Sequence, residues 1–195
     1  MVKERSNMIF LSASIPDPER NKKYFNTADI VAIRDSVRAL ATVIIPDFKL
    51  VWGGHPAISP MIRFVIEKMG SYANEHVILY QSEFFKNEYP DDYKFFEKVI
   101  ITEELEDRES SLKLMRDRML KSYNFRAGIF IGGMEGVEQE FDLFKSSHPD
   151  AFLFPVASTG GAAQLIFEKS GLDFPKSLQT EYAYMSLFKT LIINQ

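Results

Sequence analysis

The sequence contains no cysteine, one tryptophan and three histidines among its 195 residues. The absence of cysteine excludes a disulfide scaffold, a thiolate zinc site and a cysteine nucleophile. The three histidines are scattered and form no metal-ligand motif, so we expect no metal site. A basic excess is also missing, because the net charge is −4. We therefore expect no broad electrostatic binding of nucleic acid or of an anionic membrane.

Long hydrophobic runs are missing too. The first apolar run covers 8–15 and meets prolines at positions 16 and 18. This run is too short for a signal peptide, and no window approaches the roughly 18 apolar residues that a membrane helix needs. We expect a cytoplasmic protein without a membrane segment. The 17 phenylalanines and 8 tyrosines can build a core, which excludes disorder as the main state.

Short apolar runs alternate with helical periodicity along the chain. We predict strands at 8–12, 49–52, 76–80, 99–101, 128–131 and 151–155. We predict helices at 28–44 with Thr27 as N-cap, then at 60–70, 110–121, 136–145, after 161, and at 178–192. Apolar runs without polar alternation indicate strands that are buried on both faces, and alternation with helices indicates a parallel sheet. The sequence thus predicts a single α/β domain over 1–195, a three-layer sandwich whose mostly parallel sheet has about six strands.

An aromatic segment at 81–98 fits this pattern least well, since its rings are interspersed with charges. One interpretation is a lid or an oligomer contact. The other is a loop whose aromatic side chains pack on the core, as aromatic residues often do. The sequence leaves both interpretations open.

Three predicted strands end in glycine turns that lead into helices, at 52–55, 131–136 and 158–161. Glycine lets the backbone approach a ligand, and a helix N-terminus offers free N–H groups and partial positive charge. The carboxyl ends of parallel strands share one sheet edge, so we expect a pocket for phosphate or a phosphorylated sugar there. The candidate ligand-binding residues are Ser12, Ser14, Gly53, Gly54, His55, Gly132, Gly133, Gly136, Ser158, Thr159 and Gly160. The turns match neither a Walker A loop nor a dinucleotide motif, and we expect no cofactor.

These turns resemble the SLOG superfamily, which joins the Smf/DNA-processing proteins and the Lonely Guy phosphoribohydrolases. The resemblance lies in the segments FLSAS at 10–14, LVWGG at 50–54 and IGGMEGVEQE at 131–140, and it extends over about residues 9–163. Lonely Guy members carry a V-Y-G-G-G turn and a P-G-G-x-G-T-x-x-E motif. The resemblance implies a Rossmann-like sheet that binds nucleotides or nucleotide-derived ligands.

The resemblance also implies candidate catalytic residues. Lonely Guy enzymes cleave the N-glycosidic bond of a nucleoside monophosphate with an Arg before the motif and the motif Glu. Arg116 and Glu140 fall at these places, with Arg118 as a nearby alternative to Arg116. The chain departs from the motif in several places: His55 replaces a Gly, Ile131 a Pro and Val137 a Thr, and one residue is inserted before Gly136.

Each of these residues also has an ordinary structural interpretation. Glu140 is expected on the first turn of its helix, where the helix dipole favours any acid. Arg116 could be a solvated arginine that pairs with Asp117 or with a nearby Glu, and His55 could be a turn residue that caps the helix at Pro56. Ser158 or Thr159 could likewise be the N-cap of the next helix.

Three functional hypotheses follow. The first is binding or sensing of a nucleotide or NAD-derived ligand in cytoplasmic signalling or antiviral defence, the context in which sensor-like SLOG domains are proposed to act. Such a sensor would form a homo-oligomer and could act with an effector protein. The second is N-glycosidic hydrolysis by Arg116 and Glu140. The third is an interaction protein with a vestigial pocket, and on balance the motif departures favour a protein that is not an enzyme.

Overall fold

A computed structural model describes residues 6–89 and 91–194. Six parallel strands form a sheet in the order β4-β3-β2-β1-β5-β6. The strands are β1 (Met8–Ser14), β2 (Lys49–Gly53), β3 (Val77–Ser82), β4 (Val99–Thr102), β5 (Phe125–Gly132) and β6 (Phe152–Val156). This arrangement confirms the predicted α/β class and the parallel, six-stranded sheet.

Helices cover both faces of the sheet. They are α1 (Lys22–Phe25), α2 (Ile30–Ile44), α3 (Ser59–Met69), α4 (Arg108–Lys121), α5 (Glu135–Ser147), α6 (Gly161–Lys169), α7 (Ser177–Thr180) and α8 (Tyr184–Phe188). Side chains from β1 alternate between two buried clusters, Ile9 and Leu11 in one and Met8 and Phe10 in the other. Because successive strand residues point to opposite faces, this alternation places a core on each side of the sheet and gives the predicted three-layer sandwich.

The start of α2 corrects one prediction. Asp29 is the N-cap, because its carboxylate accepts a hydrogen bond from the backbone N of Ala32 at 2.9 Å. The predicted cap, Thr27, instead donates its hydroxyl to the carbonyl of Tyr24 and accepts a bond from the backbone N of Gly161. The side chain of Thr27 therefore connects two distant turns instead of capping a helix.

The predicted helix at 178–192 is wrong as a single element. It is divided into α7, α8 and a π-helical turn at Lys189–Ile193. The break falls at Glu181, whose backbone is extended and whose carboxylate accepts bonds from the backbone N atoms of Tyr182 and Ala183. This local bonding competes with helix continuation, as short-range side-chain contacts of this kind commonly do.

The aromatic segment at 81–98 packs on the core at one end, as one of the two interpretations expects, and lines a cavity at the other. Phe96 is buried and packs edge-to-face against Trp52, with ring centroids 5.0 Å apart, so this end belongs to the core. Phe85 and Tyr89, nearer the beginning of the segment, line a cavity above the sheet instead. Pro90, within the segment, lies outside the described residues.

The strand order places a crevice beside β1. The chain adds β2, β3 and β4 on one side of β1 and then crosses to add β5 and β6 on the other. Ligands of open parallel sheets bind outside the carboxyl ends of the strands at such a reversal. Within 6–89 and 91–194, no helix is long and apolar enough to cross a membrane.

Candidate functional site

A cavity of about 680 Å³ opens at the carboxyl ends of β1, β2 and β3, between α4 and the beginning of α5. Eight of the residues predicted from the sequence line it: Ser12, Ser14, Gly53, Gly54, His55, Arg116, Gly136 and Glu140. These residues lie up to 128 positions apart in the chain. The parallel sheet brings them together because it aligns the carboxyl ends of its strands.

A three-residue cluster forms one wall of the cavity. The Nε atom of Arg116 in α4 donates to Oε1 of Glu140 in α5 at 3.0 Å. The hydroxyl of Ser12 in β1 donates to the other carboxylate oxygen, Oε2, at 2.5 Å. The side chains of Arg116 and Glu140 are only 13% and 14% exposed. Shielding from water strengthens such charge-assisted hydrogen bonds, so the Glu140 carboxylate is held in one orientation.

Gly136 makes room for this cluster. A Cβ atom at Gly136 would lie 3.0 Å from Nη2 of Arg116, which is closer than ordinary van der Waals contact. The Nη1 atom of the same guanidinium donates to Oε1 of Gln139 at 2.9 Å. The glycine therefore lets the guanidinium lie against the beginning of α5.

The ordinary interpretations of Arg116 and Glu140 hold only in part, because Arg116 does pair with a glutamate, Glu140, but is only 13% exposed and so is not a solvated arginine. Asp117 pairs with Lys121 at 2.9 Å, while Arg118 pairs with Glu103 on the exposed face of α4. Glu140 is the sixth residue of α5 and so lies in its second turn, which corrects the prediction of the first turn. Since the dipole effect falls off within the first turn, it does not explain this carboxylate.

His55 is neutral in this structure. Its Nδ1 atom accepts a hydrogen bond from the backbone N of Ala57 at 3.2 Å, which assigns the proton to Nε2. Burial, together with the positive charge of Arg20, lowers the pKa of His55 to about 4. The ring therefore shapes the turn after β2 and can also donate a hydrogen bond into the cavity. It cannot serve as a protonated acid at neutral pH.

Two residues that sequence reasoning missed line the cavity at the end of β3. Gln81 is 4% exposed, and its side-chain amide forms no hydrogen bond within the described residues. Ser82 is fully buried, and its hydroxyl has no hydrogen-bond partner in that part of the chain. The sequence did contain a signal for these residues, namely two polar residues directly after a predicted apolar strand. Because that strand ends at the same sheet edge as the glycine turns, its last side chains are expected near the same cavity.

A loop after β1 supplies further charges. Asp17 and Arg20 line the cavity, and Arg20 lies 3.9 Å from a carboxylate oxygen of Glu135. The side-chain amide of Asn21 donates to the other oxygen of Glu135 at 2.9 Å. Burial acts against ionisation, but this bond and the positive charge of Arg20 keep the pKa of Glu135 below its usual value. These contacts hold the loop against the first turn of α5.

The remaining predicted residues lie outside the cavity. Thr159 accepts a bond from the backbone N of Gly132 at 2.8 Å, and the hydroxyl of Ser158 bonds to that of Tyr184 at 3.1 Å. Gly160 is the N-cap of α6 and provides no side-chain cap, so neither Ser158 nor Thr159 caps this helix. Gly133 packs against Val137, and Gly160 packs against the backbone of Thr27. The turn at 158–161 therefore supports the fold behind the cavity.

Comparison with known proteins identifies the family of this chain. The model of the SLOG cluster3 family matches residues 23–192, a range that includes Arg116 and Glu140. Comparisons with curated proteins and with solved structures gave no match. The match spans most of the sequence and agrees with the parallel sheet and with the glycine turns at its edge. The chain belongs to the SLOG cluster3 family.

Proposed function

We propose that the cavity binds a nucleotide or a nucleotide-derived ligand, and that the protein senses this ligand in a cytoplasmic signalling or defence context. The observation that carries this proposal is the cluster of Ser12, Arg116 and Glu140 in the cavity wall. Membership of a SLOG family supports a nucleotide-related ligand-binding or processing domain. A cavity of about 680 Å³ falls within the range that is typical of small-molecule sites.

The charged wall offers groups for a ribose phosphate. The α5 helix begins without a side-chain cap, and Gly136 in its first turn lines the cavity. Free N–H groups at such a helix start attract phosphate, and Arg116 lies beside them. The Glu140 carboxylate can accept bonds from ribose hydroxyls while Ser12 and Arg116 hold it in place.

The same cluster favours N-glycosidic hydrolysis of a nucleoside 5′-monophosphate as a second candidate. In that reaction the bond between C1′ and the base nitrogen breaks, water supplies the oxygen that bonds to C1′, and the base leaves with a proton. Glu140 would stabilise the positive charge that develops at C1′. However, each oxygen of Glu140 already accepts a hydrogen bond, which suits binding and charge stabilisation better than proton transfer.

A sensor must pass its ligand signal on, so we propose a homo-oligomer or an effector protein as the recipient. The third candidate, an interaction protein with a vestigial pocket, would not respond to nucleotides. A test of ligand binding therefore separates all three functions.

The test is a thermal-shift panel of AMP, NAD, ADP-ribose, cyclic ADP-ribose and dAMP, followed by chromatography of each sample. A ligand at 100 times its dissociation constant adds about 2.7 kcal/mol of stability, which is a shift of several degrees for a chain of this size. We expect a shift with an intact ligand. A shift accompanied by free base, and loss of that release in Glu140→Gln, would establish the hydrolase instead.

The matched variants are Arg116→Ala in the cavity and Arg118→Ala on the exposed face of the same helix. We expect the first to abolish the ligand-induced shift and the second to retain it. Absence of a shift across the whole panel, or equal loss in both variants, would contradict binding at this wall.

A further inference from the structure

The cavity has two chemically different ends. The charged end contains Ser12, Arg116 and Glu140 at β1, α4 and α5. The other end, which we call the neutral end, lies at β2 and β3, where the uncharged side chains of His55 and Gln81 line the cavity at the sheet edge. Charged side chains farther from the sheet edge, Arg108 among them, also line the cavity.

One polar side chain at the neutral end is both unpaired and accessible from the cavity. Gln81 is 4% exposed and lines the cavity, and its side-chain amide forms no hydrogen bond within the described residues. Its donor and its acceptor are therefore available to a ligand. The Ser82 hydroxyl also lacks a partner in that part of the chain, but this oxygen is fully buried and is not exposed to the cavity.

Gly54 makes room for the amide of Gln81. A Cβ atom at Gly54 would lie 2.2 Å from Nε2 of Gln81, a distance at which the amide would have to move. The backbone N of Gly54 donates to the carbonyl of Tyr80 at 2.8 Å, which fixes the turn beside β3. The turn after β2 therefore presents the Gln81 amide at the sheet edge.

Aromatic rings enclose this end. Phe85 and Tyr89 line the cavity, and the Tyr89 hydroxyl donates to the carbonyl of Ser82 at 2.6 Å. The guanidinium of Arg108 lies 5.8 Å from the centroid of the Phe85 ring. Flat aromatic walls beside unpaired hydrogen-bonding groups suit a planar heterocycle, which stacks with its faces and bonds with its edge.

We propose that the neutral end is a nucleobase subsite, and that the Gln81 amide recognises adenine. This inference rests on the proposed nucleotide function and specifies its ligand. A glutamine amide places one donor beside one acceptor, a pair that matches N6–H and N7 of adenine. The Nε2–H of His55 can supply a further bond to the base edge. The ribose phosphate then extends toward Arg116 and Glu140.

The test compares calorimetric titrations of AMP and ribose 5-phosphate, which share the ribose phosphate but differ in the base. The wild-type protein should bind AMP at least about tenfold more tightly than ribose 5-phosphate. Gln81→Met should weaken AMP binding by about tenfold and leave ribose 5-phosphate binding unchanged. The matched control, Gln179→Met on the exposed surface of α7, should change neither affinity.

The outcomes separate this proposal from the proposed function. If AMP and ribose 5-phosphate bind equally well, the base subsite is wrong and the nucleotide function stands. If neither binds, the adenine subsite is wrong, and the other ligands of the thermal-shift panel then decide the proposed function. If Gln81→Met weakens the binding of both ligands equally, Gln81 affects binding only through the fold. Its proposed recognition of adenine is then wrong. Gln81→Asn keeps the amide but shortens its reach, and it serves as the second variant if Gln81→Met does not fold, with the same selective loss of AMP affinity expected.

Discussion

The glycine turns of this protein fall into two groups that differ in what an added side chain would meet. At Gly54 and Gly136, a Cβ atom would meet the polar ends of Gln81 and Arg116, which are flexible side chains at the cavity. At Gly160, a Cβ atom would lie 1.8 Å from the backbone oxygen of Thr27. The first pair makes room for side chains that line the cavity, whereas Gly160 makes room for a neighbouring segment of the backbone.

The two groups of glycines differ because another segment of the chain covers one of the turns at the sheet edge and not the others. The backbone N of Asp29 donates to the carbonyl of Thr159 at 3.1 Å, so the beginning of α2 occupies the space above the third turn. Nothing comparable covers the turn after β2 within the described residues, and the cavity opens there. A pair of glycines after a strand therefore indicates that another group approaches the backbone closely. The neighbouring elements determine whether that group is part of the protein or leaves room for a ligand.

The largest expected effect is on the covered turn. Gly160 has φ 69°, a conformation that a side chain rarely adopts, and Gly160→Ala also forces a collision with the backbone. We expect a loss of about 3 kcal/mol or more in the free energy of unfolding. Urea denaturation measures this loss. Calorimetry on the folded fraction should show unchanged ligand affinity, and a stable Gly160→Ala variant with impaired binding would reverse the comparison.

Breaking the charged cluster should have the next largest effect on stability. Arg116→Ala leaves the Glu140 carboxylate poorly solvated and without its cation, at a cost of about 2 kcal/mol. Thermal unfolding checks this value against Arg118→Ala, whose arginine pairs on the exposed surface and should leave the melting temperature unchanged. Equal shifts in the two variants would show that the buried pair has no special role.

Gly54→Ala should have a smaller effect on stability and a clear effect on binding. The side chain that obstructs the new methyl group can rotate away, so we expect a cost of about 1 kcal/mol. The displaced Gln81 amide should lose its contacts to the base, which lowers AMP affinity by about tenfold and spares ribose 5-phosphate. Calorimetry distinguishes these two ligands. Retention of full AMP affinity would mean that the position of Gln81 does not matter.

The effect expected at His55 is the smallest at neutral pH, because it is a pH dependence that develops only on acidification. The pKa is about 4 in the folded protein and 6.5 in the unfolded chain. Between these pH values the unfolded chain binds a proton that the folded protein does not, so stability falls as the pH decreases from 6.5 to 4. Below pH 4 this group contributes no further change. Denaturation of wild type and His55→Asn across this range should show a shallower decline in the variant, and parallel curves would contradict the assignment.

The sequence predicted the sheet well because its strands are buried on both faces and produce unbroken apolar runs. It was less informative about the last helix, since the break depends on hydrogen bonds from Glu181 that periodicity does not show. The proximity of Arg116 and Glu140 came from the family resemblance, as no spacing rule links a position in α4 to one in α5. Gln81 and Ser82 were missed because neither residue type is unusual after a strand, and only the folded cavity shows that they lack partners.

The most direct test of nucleotide binding at this sheet edge is a map of backbone amide NMR shifts during titration with AMP. We predict perturbations at Gly54, Gln81 and Gly136, where the open turns and the end of β3 line the cavity. The amides of Thr159 and Gly160, behind the cavity, should stay unchanged. Shifts centred on those two residues, or no shifts at saturating AMP, would contradict adenine-nucleotide binding in the cavity.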